Sequence, residues 1–288
     1  MITDGPDPLI SIPGVHGHYL RASSARSGLG RLRYLQGGSG SPVVLLHTVR
    51  TQAEHFHRLI PLLLPNHTVY ALDLPGMGHS DIEAGARYDD NALRSAVHRF
   101  IVQLDLHDVT LIGESIGATL ALTASADLPD RIRRVVAVNT YDYAGGIARS
   151  GVLARIILTG ILAPVIGPTF AGIEPKPVMR AVLHGGLVND DALTEDYLDE
   201  LLSVGRRPGY SRVARAIYGN LPSLIAARSH YERVKVPVHL VYGEKDWSRT
   251  TDRSDNYRLL PGAEFLEIPD SGHFMSLEKP EGIAALID

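Results

Sequence analysis

The chain has 288 residues, enough for one α/β domain carrying an insertion. Its formal charge of −4, from 28 basic and 32 acidic residues, comes without a Lys/Arg block or stripe and speaks against nucleic-acid binding. With no cysteine, the sequence excludes disulfides, thiolate metal sites and a cysteine nucleophile together.

The opening MITDGPDPLISIPG has acids and prolines where a secretory signal has a positive start and an apolar stretch, so a cytoplasmic location is expected by default. Short alternating runs at 16–23 (HGHYLRAS) and 31–38 (RLRYLQGG) predict strands. The run 42–48 (PVVLLHT) is continuously apolar, as a strand buried on both faces of a parallel sheet must be. A helix is predicted over 53–65, a strand over 67–75 and a loop over 76–81 (GMGHSD). Apolar residues at helical spacing follow over 90–106, then a strand at 109–113, a helix at 115–126 and a strand at 133–139. This alternation predicts an α/β fold with a mostly parallel, doubly wound sheet.

From about 144 to 228 the strand pattern stops. Prolines 164, 168, 175 and 177 break the helical stretches, and 191–202 (DALTEDYLDELL) is amphipathic. The most apolar segment, 151–167, is short for a bilayer and is interrupted by Arg155, Gly160 and Pro164, so it predicts a buried or amphipathic helix and no membrane span. Strands resume at 236–243 and 263–269, and a last helix starts near Lys279. The expected organisation is a core over 1–143, a helical insertion over 144–228 and the rest of the core over 229–288.

The pattern Gly113-Glu114-Ser115-Ile116-Gly117 lies at a strand-to-helix turn, where parallel sheets gather functional groups. The glycines leave space for a strained turn that lifts a serine into the cleft at a helix N-terminus. A serine hydroxyl is a poor nucleophile until a base and an orienting acid are within reach. His273, after the strand 263–269, is the candidate base, and Asp246, after the strand 236–243, is the candidate acid. Asp142, Glu244 and Asp270 are alternatives for the acid. Glu114 is expected to be a buried hydrogen-bonding group, and His55 and His57 need no special role. Two oxyanion donors are expected. One is the N–H of Ile116; the other is the N–H of Val49, with Thr48 as the near alternative. Thr48, Arg50, Gln52, Tyr141, Trp247 and Phe274 are candidate substrate contacts. The sequence lacks HExxH and any other metal-ligand spacing, so neither metal nor cofactor is expected.

The stretches 45–49 (LLHTV), 72–81 (LDLPGMGHSD), 113–117 (GESIG), 242–248 (YGEKDWS) and 271–274 (SGHF), in this order, resemble the α/β-hydrolase family. The resemblance spans about 16–288 outside the insertion, which looks like the family's helical cap. It implies an α/β-hydrolase fold and hydrolysis of an ester or lactone; the Ile, Leu and Val of the insertion, with Tyr141, Tyr143 and Phe170 nearby, favour a small apolar or amphipathic substrate, and no obligate protein partner is expected. One departure is Thr48, where the family often has glycine. Haloalkane dehalogenases and epoxide hydrolases look similar but carry aspartate at the elbow, so Ser115 argues for acyl chemistry. Within the serine group the chain looks most like bacterial esterases, haloperoxidase-like enzymes and carbon–carbon bond hydrolases. The stretches 47–56 and 139–146 add a fainter resemblance to serine-dependent macrolide esterases. A ligand receptor on this fold and a catalytically dead binding module are the non-esterase alternatives.

Overall fold

Runs of Val, Leu and Ile too apolar for water on either side become the middle of a sheet, and alternate residues of one strand feed opposite cores. In the computed structural model, which describes residues 2–7, 10–21, 30–173 and 175–287, strand β4 (Ser41–Leu46) shows this directly. Val44 and Leu46 join one buried cluster, and Val43 and Leu45 join the other. The remaining strands are β1 (Ile2–Asp4), β2 (Val15–Leu20), β3 (Leu32–Gly38), β5 (His67–Leu72), β6 (Val109–Glu114), β7 (Ile132–Val138), β8 (Val238–Gly243) and β9 (Glu264–Ile268). The last two residues of the 16–23 stretch lie outside the described residues.

The nine strands run in the order β1-β2-β3-β5-β4-β6-β7-β8-β9. Pairing is antiparallel from β1 to β5 through β2 and β3, and parallel from β5 to β9. The sheet is therefore mostly parallel, as expected, with an antiparallel edge.

The predicted helix over 53–65 breaks into two pieces, a 3-10 turn at Ala53–Phe56 and the short α1 (Ile60–Leu63). Pro61 starts the second piece, since a ring without an N–H fits only the first turn of a helix. Helix α2 (Asp90–Gln103) begins where the Asp89 side chain accepts the N–H of Ala92 at 3.0 Å. Helix α3 (Ile116–Asp127) is buried from Ile116 to Ser125, which explains its composition of small and apolar residues with no polar face.

No strand among the described residues lies between β7 and β8. The insertion holds α4 (Gly146–Arg149), α5 (Val152–Leu162), α6 (Gly167–Phe170), α7 (Lys176–His184), α8 (Glu195–Gly205) and α9 (Tyr210–Ala226). Helix α8 starts where Thr194 accepts the N–H of Tyr197 at 3.3 Å, with Glu195 and Asp196 at its positive end. After β8 come α10 (Thr250–Leu259), then α11 (Met275–Glu278) and α12 (Pro280–Ala284) beyond β9. No helix among the described residues is long and apolar enough to cross a membrane.

Candidate active site

Ser115 sits at the turn between β6 and α3 with φ 60° and ψ −120°, a conformation an L-residue adopts only under constraint, at about 1–3 kcal/mol. The glycines make the turn possible. A Cβ at Gly113 would lie 2.1 Å from the carbonyl oxygen of Gly117, and one at Gly117 would lie 2.0 Å from that of Leu46. The helix therefore presses directly on β4, and β4 leads into the 47–52 loop.

The Ser115 Oγ–H donates to Nε2 of His273 at 2.9 Å, and Nδ1 of His273 faces Oδ1 of Asp246 at 2.5 Å. The serine and histidine are wholly buried. The second oxygen of Asp246 accepts the backbone N–H of Ser248 at 2.9 Å and also its hydroxyl. Burial works to raise the pKa of Asp246, but the His273 ring and the Ser248 bonds outweigh it and hold the carboxyl below its ordinary value.

The other candidate acids lie elsewhere. Asp142 is buried and accepts from Tyr231 at 2.6 Å and from the amide of Asn256 at 2.9 and 3.0 Å. Burial raises its pKa despite these bonds. Glu244 pairs with Lys245 at the surface, and Asp270 is exposed.

The loop expected to supply the second oxyanion donor is fixed by a histidine. The Leu74 N–H donates to Nε2 of His47 at 3.0 Å, so the ring proton is on Nδ1, which donates to the Thr48 carbonyl at 2.7 Å. Burial pushes His47 down to about 4, which keeps the ring neutral. The same carbonyl accepts the Thr51 hydroxyl at 3.0 Å. Because the C=O and N–H of one peptide point in opposite directions, holding the Thr48 oxygen aims the Val49 N–H away from the loop. Among the described residues, neither Val49 nor Ile116 gives its N–H to another group.

Behind the loop, Asp73 accepts the N–H groups of Ala53 at 2.7 Å and His79 at 2.8 Å, and pairs with buried Arg33 at 3.2 Å. This accounts for the LDLPGMGHSD stretch: a Cβ at Gly78 would lie 2.2 Å from the Asp73 carboxyl.

A cavity of about 300 Å³ opens between the 48–51 loop and the cap helices. Thr48, Arg50, Trp247 and Phe274 line it, together with Val49, Phe170 and aliphatic residues of α5 and α7. Arg50 has φ 57°, and its guanidinium carbon lies 6.0 and 5.9 Å from the ring centres of Tyr210 and Tyr218. Two expected contacts need correction. Gln52 is fully buried and donates to Glu54 at 3.0 Å and Glu200 at 2.8 Å, tying the loop to α8. Tyr141 is buried and accepts the N–H of Ile147 at 3.1 Å, so it packs the cap onto the core.

Other contributors carry no local sequence signal. Asn139 donates to the carbonyls of Gly272 at 2.9 Å and His273 at 3.0 Å, and accepts the Gly243 N–H at 2.8 Å, joining the ends of β7 and β8 to the histidine loop. Arg253 donates to the Ser248 hydroxyl at 2.9 Å, behind Asp246. His55, predicted to be unremarkable, bonds to Glu114 and, at 2.8 Å, to Tyr197 of α8. Glu114 is the buried hydrogen-bonding group the sequence implied: it also accepts the Ser276 N–H at 3.0 Å. Among the described residues no three His, Asp or Glu side chains converge to hold a metal.

Comparison with known proteins places the chain in a family. The sequence model of the Alpha/beta hydrolase family matches residues 43–286. Haloalkane dehalogenase 2 of Mycobacterium tuberculosis is 23% identical over 273 residues, 91% of each chain. Wild-type Cfl2 from Burkholderia cenocepacia superposes with a TM-score of 0.80 at 21% identity over 95% of both chains. The epoxide hydrolase CorEH gives 0.77 at 20% identity, over 94% of this chain and 96% of its own.

Proposed function

Because the chain belongs to the alpha/beta hydrolase family, we propose that it is a serine hydrolase that cleaves a carboxylic ester or lactone through an acyl-enzyme at Ser115. The observation that carries this reading is the line of hydrogen bonds from the Ser115 hydroxyl through His273 to Asp246, beside two N–H groups with no acceptor among the described residues. His273 takes the serine proton as Oγ bonds to the ester carbonyl carbon. The N–H groups of Val49 and Ile116 hold the resulting oxyanion. The ester C–O bond breaks as His273 hands its proton to the departing alkoxide. The same ring then deprotonates water, whose oxygen bonds to the acyl carbonyl carbon, and the C–Oγ bond breaks as His273 returns the proton to Ser115. Asp246 keeps the ring in the working tautomer and supports its positive charge.

The dehalogenase and epoxide hydrolase neighbours prompt a second reading, which the chemistry of Ser115 disfavours. A serine that displaces a halide or opens an epoxide forms an alkyl ether, which water does not cleave; a carboxylate in that place forms an ester, which it does.

The apolar lining and the volume, at the low end of the roughly 300–1,000 Å³ of ligand sites, favour a compact apolar acyl or alcohol group. The test is incubation with short p-nitrophenyl esters, a lactone panel including sixteen-membered macrolides, and a diketone cleaved at carbon–carbon bonds, beside Ser115→Ala, with products read by mass spectrometry. Addition of one water to an ester or lactone by the wild type alone supports the reading. Diketone cleavage without ester cleavage replaces it with carbon–carbon hydrolysis.

A further inference from the structure

The indole of Trp247 lies flat on the imidazole of His273, with ring centres 3.7 Å apart and planes 12° from parallel. Phe274 stands edge-on to both rings, at 5.7 Å and 82° to the indole and 5.3 Å and 72° to the imidazole. The stack is anchored from the cap. Just past the end of α7, the Gly185 carbonyl accepts the indole N–H at 3.0 Å, and the Gly186 carbonyl accepts the backbone N–H of His273 at 2.7 Å. No side chain fits at Gly186, where a Cβ would lie 2.5 Å from the Phe274 ring and 3.0 Å from the indole. Glu278 fastens the same strap to the histidine loop. One of its oxygens accepts the N–H groups of Val188 and Asn189 at 2.6 and 2.8 Å, and the other accepts that of Gly272 at 2.6 Å.

Resting on the acyl-transfer reading, we propose that Trp247 is a positioning residue for His273, held over the imidazole by the cap. Two hydrogen bonds fix where the edges of the histidine ring point, but the ring torsion itself is soft. A flat indole on one face fixes the plane. Its second effect depends on charge. The electron-rich face of tryptophan attracts a cation, and the imidazole becomes one only while Ser115 is giving up its proton. The indole therefore favours the transition state over the resting enzyme, which is the kind of contact that raises kcat. The charged neighbours are Asp246 in the plane of the ring at Nδ1, Glu278 behind Gly272, and Arg149, which pairs with Asp252 and reaches the Trp247 carbonyl at 3.3 Å. None of them occupies the face that the indole covers. The consequence is that the general base is fully seated only when the cap strap at 185–186 is docked.

Trp247 is the chain's single tryptophan, so its emission reports the stack without any substrate. A protonated imidazole in contact with an indole quenches it. Emission of the wild type is expected to fall through one titration as pH is lowered, and to stay flat in His273→Gln. In p-nitrophenyl acetate hydrolysis, Trp247→Leu is expected to lower kcat about two- to thirtyfold, the range a cation–π contact spans. Trp247→Phe, which keeps an aromatic face, is expected to recover most of kcat. A wild-type emission that ignores His273, or a Trp247→Leu that raises KM alone, would make Trp247 merely a pocket wall and overturn the proposal. A wild type inactive on every ester but with normal emission titration would sink the ester reading and leave the stack standing.

Discussion

Gly117→Ala is the sharpest probe of the turn that carries Ser115. The added Cβ would lie 2.0 Å from the Leu46 carbonyl oxygen, 2.6 Å from its carbon and 2.7 Å from the His47 oxygen, where real Cβ contacts do not fall below 3.0 Å. All three atoms are backbone, so no rotamer relieves the clash, and α3 and β4 must separate by about 1 Å. That separation moves the Ile116 N–H, on α3, away from the Val49 N–H, on the loop that β4 feeds. Overpacking of this kind costs about 1–3 kcal/mol. With no flexible neighbour to yield, the upper half of that range applies, and Tm should fall by about 4–12 °C at roughly 2–4 °C per kcal/mol. A displacement of about 1 Å at a reacting centre costs on the order of a hundredfold in rate. Differential scanning calorimetry and p-nitrophenyl acetate hydrolysis measure the two effects on one sample. A variant with wild-type Tm and kcat within threefold of wild type would show that the two N–H groups need not be held at this spacing, and the oxyanion argument would fall with it.

Asp246→Asn should cut kcat by about 10⁴ with little change in KM, since the wrong histidine tautomer is then favoured; steady-state kinetics decide it, and a loss under tenfold would reassign the acid. Asp142→Asn should leave kcat unchanged. A buried carboxyl with a raised pKa costs the folded state as pH climbs from the model-peptide value through the folded one, so the amide should keep activity and gain stability at pH 7 in urea melts. The folded state holds His47 neutral down to about pH 4, whereas the unfolded chain takes up a proton below about 6.5. The wild type should therefore lose roughly 3 kcal/mol from this group as pH falls from 6.5 to 4. Denaturant melts across that window should be flatter for His47→Gln by this amount, and equal slopes would refute the assignment.

The central sheet was legible because strands buried on both faces must be written in Val, Leu and Ile, as in 42–48 and 109–113. The elbow was legible because its two glycines answer to backbone atoms 2.0 and 2.1 Å from where their Cβ atoms would be. Asp246 and His273 could be picked from their positions just past β8 and β9. What the sequence could not announce is whatever depends on two distant segments meeting. Asn139 reads locally as a strand end, and no local pattern marks Ser248 or Arg253, yet all three hold the site together. Gln52 sits among pocket residues in sequence, but its side chain turns inward to Glu54 and Glu200, the latter 148 positions away. The helix expected over 53–65 failed for a local reason, Pro61, and a tertiary one, the capture of His55 by Glu114 and Tyr197.

The account stands or falls on whether Ser115 carries the acyl group. Rapid acid quench of the protein with p-nitrophenyl acetate, followed by intact-mass and peptide analysis, tests this directly. The predicted result is a burst of p-nitrophenol with one acetyl group on the peptide containing Ser115, absent in Ser115→Ala and longer-lived in Asp246→Asn. Steady turnover with an acetyl group on another residue, or undiminished turnover by Ser115→Ala, would contradict it.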